Sequence, residues 1–159
     1  MSLQEPTIEV ADQPHHIDTI QNLFNQKQIK EELHWFTYRD ALERAVRRDD
    51  REIFYITDSD DDIIAASMVW CESRALADNR AQIRLIAVHP DARDQDLGRA
   101  LVRESERFAV YHKKDTIIAE TGADSKAKEF WEAVGYSELS RRSTESGRTM
   151  ILMGNELDD

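Results

Sequence analysis

The sequence predicts an α+β fold: a mixed, mostly antiparallel central sheet of about seven strands with flanking helices, in the order β-α-α-β-β-β-α-β-α-β-β. Three observations predict it. Short runs rich in β-branched and aromatic residues, separated by acidic or glycine-containing turns, read as hairpins, and hairpin strands pair antiparallel. Stretches with apolar residues at helical spacing alternate with strands in the middle of the chain, which gives a strand–helix–strand crossover at its centre. Only 5 glycines and 3 prolines occur, with no low-complexity linker and no internal repeat, so residues 1–159 are expected to form one domain.

The first strand is expected over Thr7–Ala11. A helix follows near Pro14, with proline in its permitted first turn and Asp12 or Gln13 as caps. Its apolar residues Ile17, Ile20, Leu23 and Phe24 fall on one face. A second helix is expected from Thr37, with Asp40 three residues on in the manner of a capping box, and carries Ala41, Leu42, Ala45 and Val46. Ile53–Thr57 and Ile63–Cys71 then read as a hairpin around an acidic turn, and Gln82–Val88 as the next strand. A long amphipathic helix spans Leu97–Tyr111, presenting Leu101, Val102, Phe108 and Ala109. Asp115–Gly122 is a short apolar strand of the kind buried inside a sheet. A helix over Ser125–Ala133 ends before Gly135, a left-handed cap. Two strands close the chain, Tyr136–Arg142 and Thr149–Leu157, joined by a turn holding Glu145, Ser146 and Gly147.

Composition narrows the function. With 40% hydrophobic and 33% charged residues, the chain has the balance of a soluble globular protein. No uninterrupted apolar run is long enough to span a membrane, and the N-terminus lacks the basic-then-apolar pattern of a signal peptide, so a cytoplasmic location is expected. The single cysteine, Cys71, excludes an internal disulfide and reads as a small core residue. A net charge of −11 argues against nucleic acid as a partner and gives a mild advantage to a cationic substrate such as an amine.

The segment "VHPDARDQDLGRALV", Val88 to Val102, reads as a strand end, a tight turn and the first turns of a helix. Free N–H groups at a helix start, together with the positive end of the helix dipole, make an anion site. The residues here resemble the GNAT superfamily of N-acetyltransferases, and the resemblance covers nearly the whole chain. In "IRLIAVHPDARDQDLGRALV", Val88, Pro90, Arg93, Gly98 and Leu101 stand at the family's spacing; in "DSKAKEFWEAVGYSEL", Ala127, Phe130, Gly135 and Tyr136 match a later family motif.

The resemblance implies acetyl-CoA as co-substrate and no metal, with the cofactor in a wedge where the fourth and fifth strands splay apart. The backbone of Ile86, Ala87 and Val88 would pair with the pantetheine arm. The turn Arg93, Asp94, Gln95, Asp96, Leu97 and Gly98 would wrap the diphosphate with Arg99 beside it, and Asp124 and Trp131 of the later motif would complete the site. An acceptor amine would attack the thioester directly, with a homodimer as the common family outcome. Specificity in the family lies in the loop between the first two helices and in the last hairpin.

Several residues depart from the family pattern. Asp94 and Asp96 replace glycines in the turn, Asp124 replaces an asparagine, and Trp131 stands where many members carry a tyrosine that protonates the leaving thiolate. Aspartate tolerates the left-handed conformation at a cost of about 1 kcal/mol. A carboxylate roughly 5 Å from a phosphate charge costs about 3 kcal/mol at an effective dielectric of about 20, offset in part by Arg93 and Arg99. An indole cannot act as the acid.

Glu120, closing the fifth strand, is the best candidate for a base, with Glu72 second. Trp35, Phe36 and Tyr38 are candidates for an aromatic wall to the acceptor pocket. Asp58–Asp62 begins like a calcium loop but has Ile63 and Val69 where glycine and glutamate are required, so it reads as a polar turn. His15 and His16 lack a third ligand nearby and read as a helix-start pair rather than a metal site. The expected function is N-acetyl transfer to a primary amine of a small molecule or peptide. The alternative is a catalytically silent binding or dimerisation module on the same fold.

Overall fold

The computed structural model describes residues 7–25, 39–74, 76–92, 96–123 and 126–157. Seven strands form one sheet: β1 (Glu9–Val10), β2 (Arg51–Thr57), β3 (Ile63–Trp70), β4 (Arg80–Val88), β5 (Thr116–Gly122), β6 (Ser137–Ser143) and β7 (Thr149–Glu156). Four helices flank it among the described residues: α1 (Pro14–Phe24), α2 (Arg39–Arg47), α3 (Leu97–Tyr111) and α4 (Ala127–Ala133). The order across the sheet is β1-β2-β3-β4-β5-β7-β6, and every neighbouring pair is antiparallel except β4 with β5. This is the α+β architecture and element order that the sequence predicts.

Each element has a local cause. Pro14 begins α1, and His16 Nδ1 accepts the backbone N–H groups of Asp12 and Gln13, which the helix itself leaves unpaired. The acidic stretch Asp58–Asp62 is a hairpin turn held by Asp58, whose carboxylate accepts the N–H groups of Asp60 and Asp62. Gly135, at φ +100°, takes the left-handed conformation that ends α4. Tyr136, expected to open the last hairpin, instead precedes β6: its ring is buried and its hydroxyl donates to Glu106 at 2.9 Å. The expected helix start at Thr37 lies outside the described residues.

Two apolar clusters sandwich the sheet. One, under α3 and α4, includes Phe54, Ile56, Val69, Leu101, Val102, Ile117 and Ala119. The other, under α1 and α2, includes Ile20, Phe24, Leu42, Ile53, Tyr55, Met68 and Leu85. Burial of each such large side chain contributes roughly 1.5–3 kcal/mol relative to exposure. Strands β2 and β3 are buried on both faces, whereas β6 is exposed along its whole length. No helix among the described residues is long and apolar enough to cross a membrane.

Candidate functional site

Strands β4 and β5 pair over a short stretch only, from Arg80↔Thr116 to Gln82↔Ile118. Beyond it each is held by its other neighbour: β4 stays bonded to β3 as far as Ala65↔Val88, and β5 to β7 as far as Gly122↔Met150. The sheet therefore opens into a V whose apex is Gln82 and Ile118. Among the described residues no strand pairs with the edge of β4 that faces β5 beyond Gln82, so the backbone of Ile86, Ala87 and Val88 borders the gap. Such an edge can take an extended ligand as an added strand.

A β-bulge shapes the apex. Met68 pairs with Leu85 and Val69 with Ile83, which leaves Arg84 as the extra residue. Ile83 belongs to the cluster under α3, while Leu85 belongs to the cluster under α1 and α2. The bulge thus exchanges the faces, turning Ile86 and Val88 toward α3.

At the open end of the V lies the start of α3. Asp96 holds φ 56° and ψ 25°, the left-handed conformation, at the position where the sequence lacks the expected glycine. Its side chain is exposed and makes no capping hydrogen bond to the helix. The first amides of α3 have no intrahelical acceptor and are not capped by Asp96. Leu97 and Gly98 are buried just behind it. A Cβ on Gly98 would lie 2.9 Å from Phe130 Cε1, so only glycine lets α3 approach α4 this closely. Arg99 reaches across the same junction, its Nη2 donating to the Ala133 carbonyl at 3.4 Å.

Trp131 is 4% exposed, packed between the rings of Phe130 (5.1 Å) and Tyr136 (5.0 Å) in the core under α3 and α4. Burial, then the neighbouring Glu106 carboxylate, push the Tyr136 hydroxyl far above its usual range. Arg93, Asp94, Gln95 and Asp124 lie outside the described residues, as do Trp35, Phe36 and Tyr38. An open strand edge leading to a helix start that Asp96 does not cap fits a long ligand with an extended arm and an anionic end.

The opposite face of the V carries the charged side chains. Glu120 on β5 lies on this face, with both carboxylate oxygens accepting from Arg142 on β6, at 3.0 and 2.6 Å. This contact raises the Arg142 guanidinium above its usual value. Across the gap on β4, Arg84 stands over the Trp70 ring, 4.7 Å from its centroid, and Arg51 on β2 stands over the same ring at 3.6 Å. Burial lowers the pKa of Arg84, opposed by the Glu120 carboxylate. Glu72, the second candidate base, lies at the closed end of the V and is bound by buried Lys114 at 2.7 Å, so it serves the fold rather than the cleft.

Sequence reasoning missed Arg51, Trp70 and Arg84, which meet only through the pairing of three strands. Among the described residues no group of three or more His, Cys, Asp or Glu is placed to hold a metal ion. The rings of His15 and His16 lie 4.2 Å apart, tilted by 58°, and His16 Nε2 meets the Tyr55 hydroxyl at 3.2 Å.

Comparison with known proteins agrees with this geometry. A family model described as an acetyltransferase (GNAT) domain matches residues 20–157. Among solved structures, an aminoglycoside 6'-N-acetyltransferase complexed with coenzyme A superposes with a TM-score of 0.79 at 14% identity, covering 96% of this chain and 98% of that one. The NatC complex bound to Gag peptide and CoA gives 0.79 at 14% identity, covering 98% and 100%. The ribosomal-protein-S18-alanine N-acetyltransferase from Escherichia coli gives 0.72 at 19% identity, covering 98% and 96%.

Proposed function

We propose that this chain, which belongs to the acetyltransferase (GNAT) family, transfers an acetyl group from acetyl-CoA directly to a primary amine of a small molecule or peptide. The observation that carries the reading is the V between β4 and β5, which opens only beyond Gln82 and Ile118 and leads to an α3 start that no side chain of Asp96 caps. In this reading the backbone of Ile86, Ala87 and Val88 holds the pantetheine arm. The turn from Arg93 through Asp94, Gln95 and Asp96 to Leu97 and Gly98 receives the diphosphate on main-chain amides. Arg99 would supply positive charge beside that turn, Asp124 is assigned to the site by the family motif alone, and Trp131 would back the arm through the packing of Phe130.

The acceptor approaches from the other face. Its nitrogen forms a bond to the thioester carbon as the carbon–sulfur bond breaks, and the departing sulfur takes up a proton. Glu120 would receive a proton from the amine, directly or through water, by exchanging one of its hydrogen bonds from Arg142. Backbone N–H groups along the apex of β4 would stabilise charge developing on the carbonyl oxygen.

A thermal-shift titration tests the reading. Acetyl-CoA at sub-millimolar concentration is expected to raise the melting temperature, as any ligand specific for the folded state does. No shift up to several millimolar would overturn it. A second reading, a silent binding module, is favoured by the engagement of both Glu120 oxygens by Arg142 and by an indole at position 131. Its signature is stabilisation by acetyl-CoA with no acetylated product from any amine.

A further inference from the structure

The chain is strongly acidic, at −11, yet the face of the V opposite α3 gathers arginines. Beyond the effect of its own burial, Arg51 feels the charges of Arg48, Arg44 and Arg84, opposed by the Asp50 carboxylate. Of these, Arg48 is neutralised by a two-pronged bond to Asp50 at 2.8 and 2.7 Å. Trp70 lies on the strand between Arg51 and Arg84 and contacts both guanidinium groups. Among the described residues, two donors in this stack, Arg51 Nε and Trp70 Nε1, are buried without a hydrogen-bond partner. Orphaned buried donors are uncommon in folded proteins and mark a place where an acceptor belongs.

Position then matters. Arg84 and Glu120 each stand two residues beyond the last β4–β5 pair, Gln82↔Ile118. They oppose one another across the mouth of the gap, on the face away from α3. The Glu120 carboxylate acts on the Arg84 guanidinium, so a cation and an anion share the mouth of the gap beside the point where acetyl transfer would occur. A zwitterion of matching size is the complement of that arrangement.

We propose that the acceptor is an amine with a carboxylate on the neighbouring carbon, as in a free α-amino acid. The inference rests on the transferase reading above. Glu120 faces the ammonium group, Arg84 binds the carboxylate, and Trp70 backed by Arg51 holds the Arg84 guanidinium in place. The α-nitrogen forms the amide bond as the carbon–sulfur bond breaks. Of the two protons the ammonium gives up, one passes through Glu120 to solvent and one goes to sulfur. Arg84 is a specificity-determining residue in this scheme, and a peptide N-terminus or a polyamine lacks the group it selects.

The test offers each of the twenty common amino acids beside its methyl ester to the full chain with acetyl-CoA, reading product by mass spectrometry. At least one amino acid is expected to show a KM about 10- to 100-fold below that of its ester, the worth of a charge-assisted two-pronged contact. Arg84→Gln is expected to bring the pair to within about threefold. Should that variant fail to fold, Arg84→Lys carries the same test, because it keeps the charge and loses the fork geometry. Equal KM for acid and ester, or discrimination that survives substitution at Arg84, overturns the proposal while leaving the transferase reading intact.

If no amine of either form is acetylated, and no peptide or polyamine is either, the transferase reading fails. Calorimetric titration of the same amino acids into protein with CoA present then decides the subsite. Binding that is lost on substitution of Arg84 upholds it, and no binding by any amino acid overturns it.

Discussion

The two faces of the V are made of different material. On the α3 side the groups offered to a ligand are backbone: an open strand edge, the first amides of a helix, a left-handed residue at Asp96 and a glycine, Gly98, that lets two helices close up. On the opposite side they are side chains, Arg51, Trp70, Arg84, Glu120 and Arg142, one from each of five strands. A backbone site fixes residue types at a fixed spacing along one segment, because only some residues permit the turn. A side-chain site assembled across a sheet fixes no spacing at all. On the proposed reading the first face would be general, suited to a constant co-substrate, and the second free to vary with the acceptor.

The largest expected effect breaks the side-chain face alone. Glu120→Gln removes the carboxylate charge and its proton-accepting capacity while keeping shape and a hydrogen-bonding oxygen. A kcat lower by about 100-fold is expected for the best acceptor, within the range that general-base assistance supplies. The thermal shift caused by acetyl-CoA should stay at its wild-type value, since that ligand would lie on the other face. An unchanged kcat would show that Glu120 only orients Arg142. A lost acetyl-CoA shift would show that the two faces are not independent.

A smaller effect, of opposite sign, belongs to the backbone face. Asp96 is exposed, left-handed and does not cap α3, so glycine can take its place without loss of a cap and with relief of backbone strain. Removing its charge from the neighbourhood of a diphosphate is expected to tighten acetyl-CoA binding about 10-fold, a moderate figure because water screens an exposed carboxylate. Isothermal titration of Asp96→Gly against the parent chain measures it. KM for the acceptor should not move. Weaker binding in the variant would mean that the aspartate fixes the turn in a way glycine cannot.

This division explains what the sequence discloses. The α3 boundaries at Leu97 and Tyr111, the proline start of α1 at Pro14 and the left-handed Gly135 follow from local rules that a single segment obeys. The run Gln82–Val88 hides the bulge. Ile83, Leu85 and Ala87 alternate with Arg84, Ile86 and Val88 as if one face were apolar throughout, and only pairing with β3 reveals that Arg84 is the extra residue. The cluster around Trp70 is hidden for the same reason, since positions 51, 70 and 84 become neighbours only once the register is set. Glu120 is legible as a strand-end carboxylate, but its partner Arg142 belongs to a strand two places away in the sheet.

The last contrast has no consequence near neutrality and separates the two cores rather than the two binding faces. Cys71, in the core under α3, has its thiol pushed up from 9.0 to about 12, mainly by burial. Tyr55, in the core under α1 and α2, has its hydroxyl pushed up from 10.0 to about 12 by burial and then by its hydrogen bond to Glu9. Both are neutral when protonated, and both have folded-state values above their unfolded ones. Their contribution to stability is therefore fully present below pH 9 for Cys71 and pH 10 for Tyr55, and is lost as pH rises toward about 12. Denaturant midpoints measured against pH should be flat from 7 to 9 and then fall, with a steeper slope above 10. Cys71→Ala should lower the plateau slightly, through a small cavity, and remove the part of the decline that begins at 9. Tyr55→Phe should leave that part and reduce the steepening above 10, the remainder belonging to the buried Tyr136 hydroxyl. A decline that begins below pH 9, or one that neither substitution alters, would mean that these groups are solvated in the folded chain.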